Sequence, residues 1–376
     1  MVITRTPYRI SFFGGGTDYS SWYLKHGGAV LCTSIDKYCY LTCRHLPPFF
    51  EHKYRIVYSR IELCKSIREI HHPAVRETLR FLKLNRGLEI HHDGDLPARS
   101  GIGSSSSFTV GLLHALYGLQ GVLPSKRQLA TESIYIEQEM IREMVGSQDQ
   151  VIAALGGLNR ISFARDGEID IRPVTVANER RDELNSHLML FYTGIKRTAS
   201  NIANGYAQSM DKKHQALLRM RRMVDEAIDI LNSDRSLNEF GELLHDGWLL
   251  KRSLSSAISN GIIDDIYGRA CDAGAVGGKI LGAGGGGFLL LFVPPSAQTR
   301  VRKVLSRLIR VPFKFETGGS QVVFYEPQQE DYRELERDRA TRQLDSFKEL
   351  EALEDRELVE RRIPARRTQD EVESPL

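Results

Sequence analysis

The stretch Asp95-Leu-Pro-Ala-Arg-Ser-Gly-Ile-Gly-Ser-Ser-Ser-Ser-Phe108 carries the strongest chemical signal in this chain. Gly101 and Gly103 allow positive φ and let backbone approach a ligand closely. Ser104 to Ser107 suit the first turn of a helix, where N–H groups lack partners and hydroxyls can cap them. Such a helix start favours an anion, and phosphate fits best. The stretch is no standard nucleotide loop. A Walker loop needs a lysine after its last glycine, and none stands here. A dinucleotide fingerprint needs a third glycine where Ser106 lies. His-Arg-Asp and Asp-Phe-Gly are both absent, which excludes the protein-kinase set.

Three further segments carry glycines or carboxylates. In Gly14-Gly-Gly-Thr-Asp18, backbone and a carboxylate can face one ligand. Gly146-Ser-Gln-Asp-Gln150 interrupts a helical pattern, and Gly282-Ala-Gly-Gly-Gly-Gly287 lies between two strand-like runs.

The elements that must position these segments follow from periodicity and turn residues. A short strand, Val2–Thr6, leads into the first glycine loop. Strands follow at Ala29–Ile35, Tyr38–Cys43, Tyr54–Tyr58 and Leu88–Ile90, with a proline-started helix at Pro73–Leu84 between the last two. Helices are expected at Ser105–Leu119 and, capped by Ser125, at Ser125–Met144. Asp166-Gly167 marks a hairpin between Leu158–Phe163 and Ile169–Val174. The polar stretch Asn178–Ser186 makes a boundary. Beyond it come a buried strand, Leu188–Tyr192, and helices over Thr198–Leu231, Ser236–Ser259 and Ile263–Ala273. The apolar run Phe288–Val293, a helix near Ala297–Leu308 and strands Phe313–Thr317 and Gln321–Tyr325 complete that half.

The 376 residues are enough for two cores, and 41% hydrophobic with 26% charged residues is ordinary for a soluble protein. A net charge of +3 gives no nucleic-acid footprint. No apolar run reaches a membrane span, and no signal-peptide core opens the chain. Five cysteines without a Cys-x-x-Cys pair argue for reduced thiols in a cytoplasm and against zinc. His71-His72 and His91-His92 chelate poorly, because neighbours on a strand point to opposite faces. The expected units are residues 1–180, 181–326 and a charged tail, 327–376. The tail's apolar stripe (Leu344, Phe347, Leu350, Leu353) is too thin for a core, so a solvated helix or disordered appendage is expected.

Taken together and in order, these segments resemble the GHMP kinase superfamily. Pro7-Tyr-Arg-Ile followed by Gly14-Gly-Gly-Thr-Asp18 is similar to its N-terminal motif. Pro97-Ala-Arg-Ser-Gly-Ile-Gly-Ser-Ser105 is similar to its phosphate loop, and Lys279-Ile-Leu-Gly-Ala-Gly-Gly-Gly-Gly-Phe288 to its third motif. The resemblance covers about residues 1–326. Within the superfamily the chain resembles the D-glycero-D-manno-heptose 7-phosphate kinase branch. The segments that carry this are Ser11–Tyr19, Ile35-Asp-Lys-Tyr38, His91-His-Asp-Gly-Asp95 and Gly146–Gln150. Gly15 and Gly16 stand where galactokinases carry Glu-His, which disfavours galactose.

The resemblance implies an α+β fold. Its N-terminal β/α domain holds the glycine-serine phosphate loop, and its C-terminal domain is ferredoxin-like. It implies ATP and Mg²⁺ as cofactors and a sugar phosphate as acceptor, with neither nucleic acid nor membrane as partner and a homodimer left open. Pro97, Arg99, Ser100, Gly101, Ile102, Gly103, Ser104, Ser105 and Ser106 would bind the nucleotide. Ser105 and Glu137 would hold Mg²⁺, which takes oxygen ligands and keeps several waters. Asp149, 12 positions after Glu137, would accept or orient the acceptor proton. Arg9 would keep Asp149 ionised and stabilise charge on the transferring group. Gly16, Thr17, Asp18, Gly284 and Gly285 would meet the sugar, and Lys196-Arg197 its phosphate, with Lys251-Arg252 as the other basic pair. The reaction implied is phosphorylation of the anomeric hydroxyl of the heptose 7-phosphate. A kinase of another sugar, such as L-fucose, and a non-catalytic metabolite sensor are the competing readings. Intact Asp149, Glu137 and Arg9 favour an enzyme over a sensor.

Overall fold

The first strand runs well past Pro7. In this computed structural model β1 spans Val2–Phe13 and pairs with β2 along its length. A register shift between Pro7 and Tyr8 accommodates the proline, which has no N–H for the ladder. Arg9 therefore sits on a strand and not in a loop. The structure describes residues 1–98, 100–195 and 213–327, with 332, 334, 335 and 337 beyond them.

The N-terminal part continues with α1 (Ser20–His26), β2 (Gly28–His45), β3 (Tyr54–Val57), β4 (Ile61–Cys64), α2 (Pro73–Phe81) and β5 (Leu88–Gly94). Next come α3 (Ser104–Leu119), α4 (Lys126–Tyr135), α5 (Gln148–Leu155), β6 (Leu158–Phe163) and β7 (Ile169–Pro173). The expected single helix from Ser125 is capped by Ser125, whose Oγ accepts from Gln128 N at 3.0 Å. It then changes to a π-helical turn, Ile136–Met140, and stops short of Met144.

The second part holds α6 (Asn178–His187), β8 (Leu188–Tyr192), α7 (His214–Leu231), α8 (Asn238–Leu254), α9 (Gly261–Asp272), β9 (Gly277–Ile280), β10 (Phe288–Phe292), α10 (Gln298–Val304) and β11 (Ile309–Val311). The polar stretch read as a boundary is thus the helix α6, anchored by buried Leu184. Two short strands, β12 (Phe315–Glu316) and β13 (Gln321–Tyr325), end the described core.

Among the described residues, nine strands form the first sheet around the path β13-β1-β2-β5-β3-β4. The 18-residue β2 joins two stretches expected as separate strands and also pairs with β6 and β12. The second sheet is β11-β8-β10-β9, antiparallel throughout. That order is the split β-α-β arrangement of ferredoxin-like domains. The strands expected over 313–325 do not complete it. Its fourth strand is β11, while β12 and β13 return to the first sheet beside β2 and β1. Pairing partners some 300 residues apart leave no local trace in a sequence.

Helix α3 lies against β1. A Cβ on Gly111 would stand 2.7 Å from Thr6 Oγ1, so glycine sets the close approach. Thr4 Oγ1 donates to the Gly111 carbonyl at 2.9 Å, and Ser107 Oγ to that of Pro7 at 2.8 Å. The helix behind the glycine-serine loop is thereby fixed on the strand that carries Arg9.

Candidate active site

Arg9 is the hub. Its Nε and Nη2 donate to Oδ1 and Oδ2 of Asp149, each at 2.7 Å. Its Nη1 donates to the Gly101 carbonyl at 2.7 Å, and its backbone N–H to that of Ile102 at 3.0 Å. A planar fork of this kind fixes direction as well as distance. The Arg9 side chain is 5% exposed and Asp149 is 23% exposed, so the carboxylate is the member open to a ligand. Burial works against the Arg9 charge, and the carboxylate of Asp149 outweighs it, leaving the Arg9 pKa raised. Gly103, at φ +77°, starts α3. A Cβ there would lie 3.1 Å from Arg9 Cγ and 3.4 Å from Asp149 Oδ2. The glycine-serine loop and Asp149 are therefore immediate neighbours.

Asp18 faces the same place. Its buried carboxylate accepts from Gly16 N at 2.8 Å, and its carbonyl accepts from Ser147 N at 2.9 Å. A Cβ on Gly146 would fall 1.9 Å from Asp18 Oδ2, so any side chain here displaces the Asp18 carboxylate. Burial and then the charge of Asp149 raise the Asp18 pKa, against backbone N–H bonds that lower it. Thr17 points inward instead. Its Oγ1 donates to the Gly14 carbonyl at 2.8 Å and accepts from Ala29 N at 3.1 Å. It shapes the loop and has no free face for a sugar.

Glu137 lies on the π-helical turn and is fully buried. Oε2 accepts from Ser106 Oγ at 2.9 Å and from Gln150 Nε2. Oε1 is buried with no hydrogen-bond partner. Burial pushes this carboxyl up to about 7, although hydroxyls of Thr109 and Ser106 and the amide of Gln150 pull it down. A buried carboxylate with an orphaned oxygen beside a phosphate-type loop fits a hard cation. The partner hydroxyl is that of Ser106, not the expected Ser105, which is exposed. One residue on a helix is a rotation of about 100°, and α3 begins at Ser104. Ser106 therefore faces inward where Ser105 faces out. Among the described residues no three His, Cys, Asp or Glu side chains form a metal cluster, and Mg²⁺ commonly uses one or two carboxylates with substrate phosphates.

The late glycine loop approaches from the second sheet. A Cβ on Gly287 would lie 2.1 Å from the Ser100 carbonyl, and Phe288 N donates to that carbonyl at 3.2 Å. Gly284 and Gly285, expected at the sugar, pack on Ile258, where Gly285 N meets the carbonyl at 2.7 Å. Ser100 Oγ closes the glycine-serine loop on the Pro97 carbonyl at 2.6 Å. Lys251 donates to the carbonyls of Ile280 and Gly282, and Arg252 pairs with Asp264 at 2.9 Å, so this basic pair is engaged within the fold. Arg99, Lys196 and Arg197 lie outside the described residues.

Three residues at the site escaped the sequence reading: Ser106 as the partner of Glu137, Gln150, and Lys279. Lys279 is buried and donates to the carbonyls of Ser11 and Phe12, both at 2.9 Å. A lone charge inside the buried strand Gly277–Ile280 was the available signal.

Comparison with known proteins finds matches to both halves of the chain. The model of the GHMP kinases N terminal domain matches residues 67–157, and that of the GHMP kinases C terminal domain matches 217–310. The D-glycero-alpha-D-manno-heptose 7-phosphate kinase of Campylobacter jejuni is 27% identical over 325 residues, covering 81% of this chain and 93% of that protein. A crystal structure described as a D-glycero-D-manno-heptose 1-phosphate kinase from Bacteroides thetaiotaomicron superposes with a TM-score of 0.72 at 22% identity. It covers 87% of this chain and 100% of its own. Lactococcus lactis galactokinase superposes at 0.65 with 16% identity, over 85% and 94% of the two chains. With its matched domains and two-sheet fold, this chain belongs to the GHMP kinases and is an ATP-dependent phosphotransferase.

Proposed function

We propose that the chain is a sugar-phosphate kinase, transferring the γ-phosphoryl group of ATP to the anomeric hydroxyl of D-glycero-D-manno-heptose 7-phosphate. The observation that carries the reading is the convergence on Asp149. Its carboxylate sits between Gly103 of the phosphate loop and Arg9, across from Asp18. The name of the Campylobacter relative supports a heptose 7-phosphate as acceptor; that of the Bacteroides structure supports a heptose phosphate but puts the phosphate on position 1.

In this mechanism the N-terminus of α3 cradles the ATP phosphates through the backbone from Gly101 to Ser106. Asp149 orients the acceptor hydroxyl and takes its proton as the oxygen bonds to the γ-phosphorus and the bond to ADP breaks. Each carboxylate oxygen keeps a lone pair beyond its contact with Arg9, so the ion pair does not block this role. Asp18 receives sugar hydroxyls. Glu137 Oε1 and Ser106 would hold Mg²⁺, which when bound neutralises charge on the phosphates. The sugar's own phosphate needs fixed cations, and Lys196-Arg197 is the candidate in sequence. Among the described residues no helix is long and apolar enough to cross a membrane.

A coupled ADP-release assay across a panel of sugars tests the reading. The panel holds heptose 7-phosphate, free heptose, L-fucose and galactose. Turnover should be highest by far with heptose 7-phosphate. Preference for an unphosphorylated sugar would refute the acceptor and leave the kinase intact.

A further inference from the structure

The register of β1 on β2 shifts between Ser11 and Phe13, just before the chain leaves the strand for the Gly14–Asp18 loop. An irregularity of this kind displaces carbonyls from the ladder and re-aims the residues beyond it. The Ser11 and Phe12 carbonyls instead accept from Lys279 Nζ, at 2.9 Å each. Lys279 comes from β9 of the other sheet, and three residues later that strand becomes the glycine loop that meets Ser100. The lysine is buried, a placement that costs free energy unless its protons are matched. The charged groups facing it are Arg9 on β1 and Asp18 on the loop. Burial and Arg9 pull its pKa down to about 7, while Asp18 pushes it up. Lys279 thus ties the segment on the nucleotide side to the one that carries Asp18.

We propose that Lys279 is a positioning residue for the acceptor: by holding the carbonyls of Ser11 and Phe12 it sets how β1 ends and so where Asp18 points. The proposal rests on reading Gly14–Asp18 as the acceptor loop, and the test separates the two. It uses the full-length enzyme, ATP and whichever of the four panel sugars is turned over fastest. The variants are Lys279→Met, Lys279→Arg, Asp18→Asn and the Lys279→Met/Asp18→Asn pair.

Lys279→Met should raise the sugar KM about tenfold, in the direction expected when uniform binding is lost. Its ATP dissociation constant, measured by titration without sugar, should stay within about twofold, and Lys279→Arg should recover part of the sugar KM. The double variant should bind sugar no worse than Asp18→Asn alone, because both changes remove one interaction. An unchanged sugar KM in Lys279→Met, equal losses for ATP and sugar, or effects that multiply in the double variant would each overturn the proposal. An unchanged sugar KM in Asp18→Asn would instead overturn the acceptor-loop reading, and the proposal with it. If Lys279→Met yields no folded protein, Lys279→Gln replaces it. That side chain keeps a donor without the charge, so an intermediate KM supports the proposal and a parental one refutes it.

Discussion

Replacing Asp149 by Asn is the sharpest perturbation of the site. The side chain keeps its shape and loses its charge. One of the two 2.7 Å contacts to Arg9 must go, because an amide nitrogen cannot accept from a guanidinium. Breaking a fully buried ion pair costs about 3–5 kcal/mol. Here Asp149 is 23% exposed and solvent reaches one side, so we expect a smaller loss of about 1–3 kcal/mol. The chemical loss should be larger. General base catalysis contributes about 10²–10⁴ in rate, or about 2.7–5.4 kcal/mol in the barrier. The assay is ADP release at saturating substrates, with ATP binding titrated separately and a thermal melt as control. The Arg9 contacts to Gly101 and Ile102 do not involve Asp149, so ATP affinity should change little. A folded variant whose kcat stays within about threefold of the parent would refute the role of Asp149 as base and as positioner.

Other outcomes follow from the same geometry. Glu137 is held near 7 in the fold against an ordinary value of 4.5, so it binds its proton more tightly when native. The stability this brings is complete below about pH 4.5 and is lost as pH rises to about 7. Mg²⁺ should therefore raise the melting temperature more at pH 8 than at pH 5.5, and Glu137→Gln should abolish the difference; overlaid melts would place the metal elsewhere. Gly146→Ala puts a methyl 1.9 Å from Asp18 Oδ2; the sugar KM should rise about tenfold or more with ATP binding little changed, and equal effects on both would contradict the placement of Asp18. Arg197→Ala should raise the KM for the phosphorylated sugar about tenfold, since one charge-assisted hydrogen bond is worth about 1.5–3 kcal/mol; a selective effect on ATP would move this segment to the nucleotide.

Much of the site could be read because its parts are local. The glycine-serine loop, the helix it starts and the segments carrying Asp18 and Asp149 each lie within a few residues. What the sequence concealed depends on rotation or distance. Ser105 and Ser106 differ only in the face of α3 they occupy, and that face is set by packing on β1. Arg9 looked like a loop residue because Pro7 resembles a strand end; the register shift that lets β1 continue appears only with β2 in place. The change from α to π geometry after Tyr135, which turns Glu137 inward, has no residue signature. Lys251 reads as half of a second basic pair and Lys279 as the start of a glycine motif, yet both are buried and hold backbone carbonyls. The return of β12 and β13 to the first sheet pairs residues 315–325 with strands near the N-terminus.

The central claim is the transfer of phosphate to the anomeric position of a sugar that already carries one. Phosphorus NMR of the enzyme with ATP and heptose 7-phosphate tests it most directly. The account predicts ADP, an undisturbed 7-phosphate signal and a new phosphate coupled to the anomeric proton, in equal amounts. A new signal coupled to any other sugar proton, or ATP left unconsumed with heptose 7-phosphate but consumed with free heptose, would contradict it.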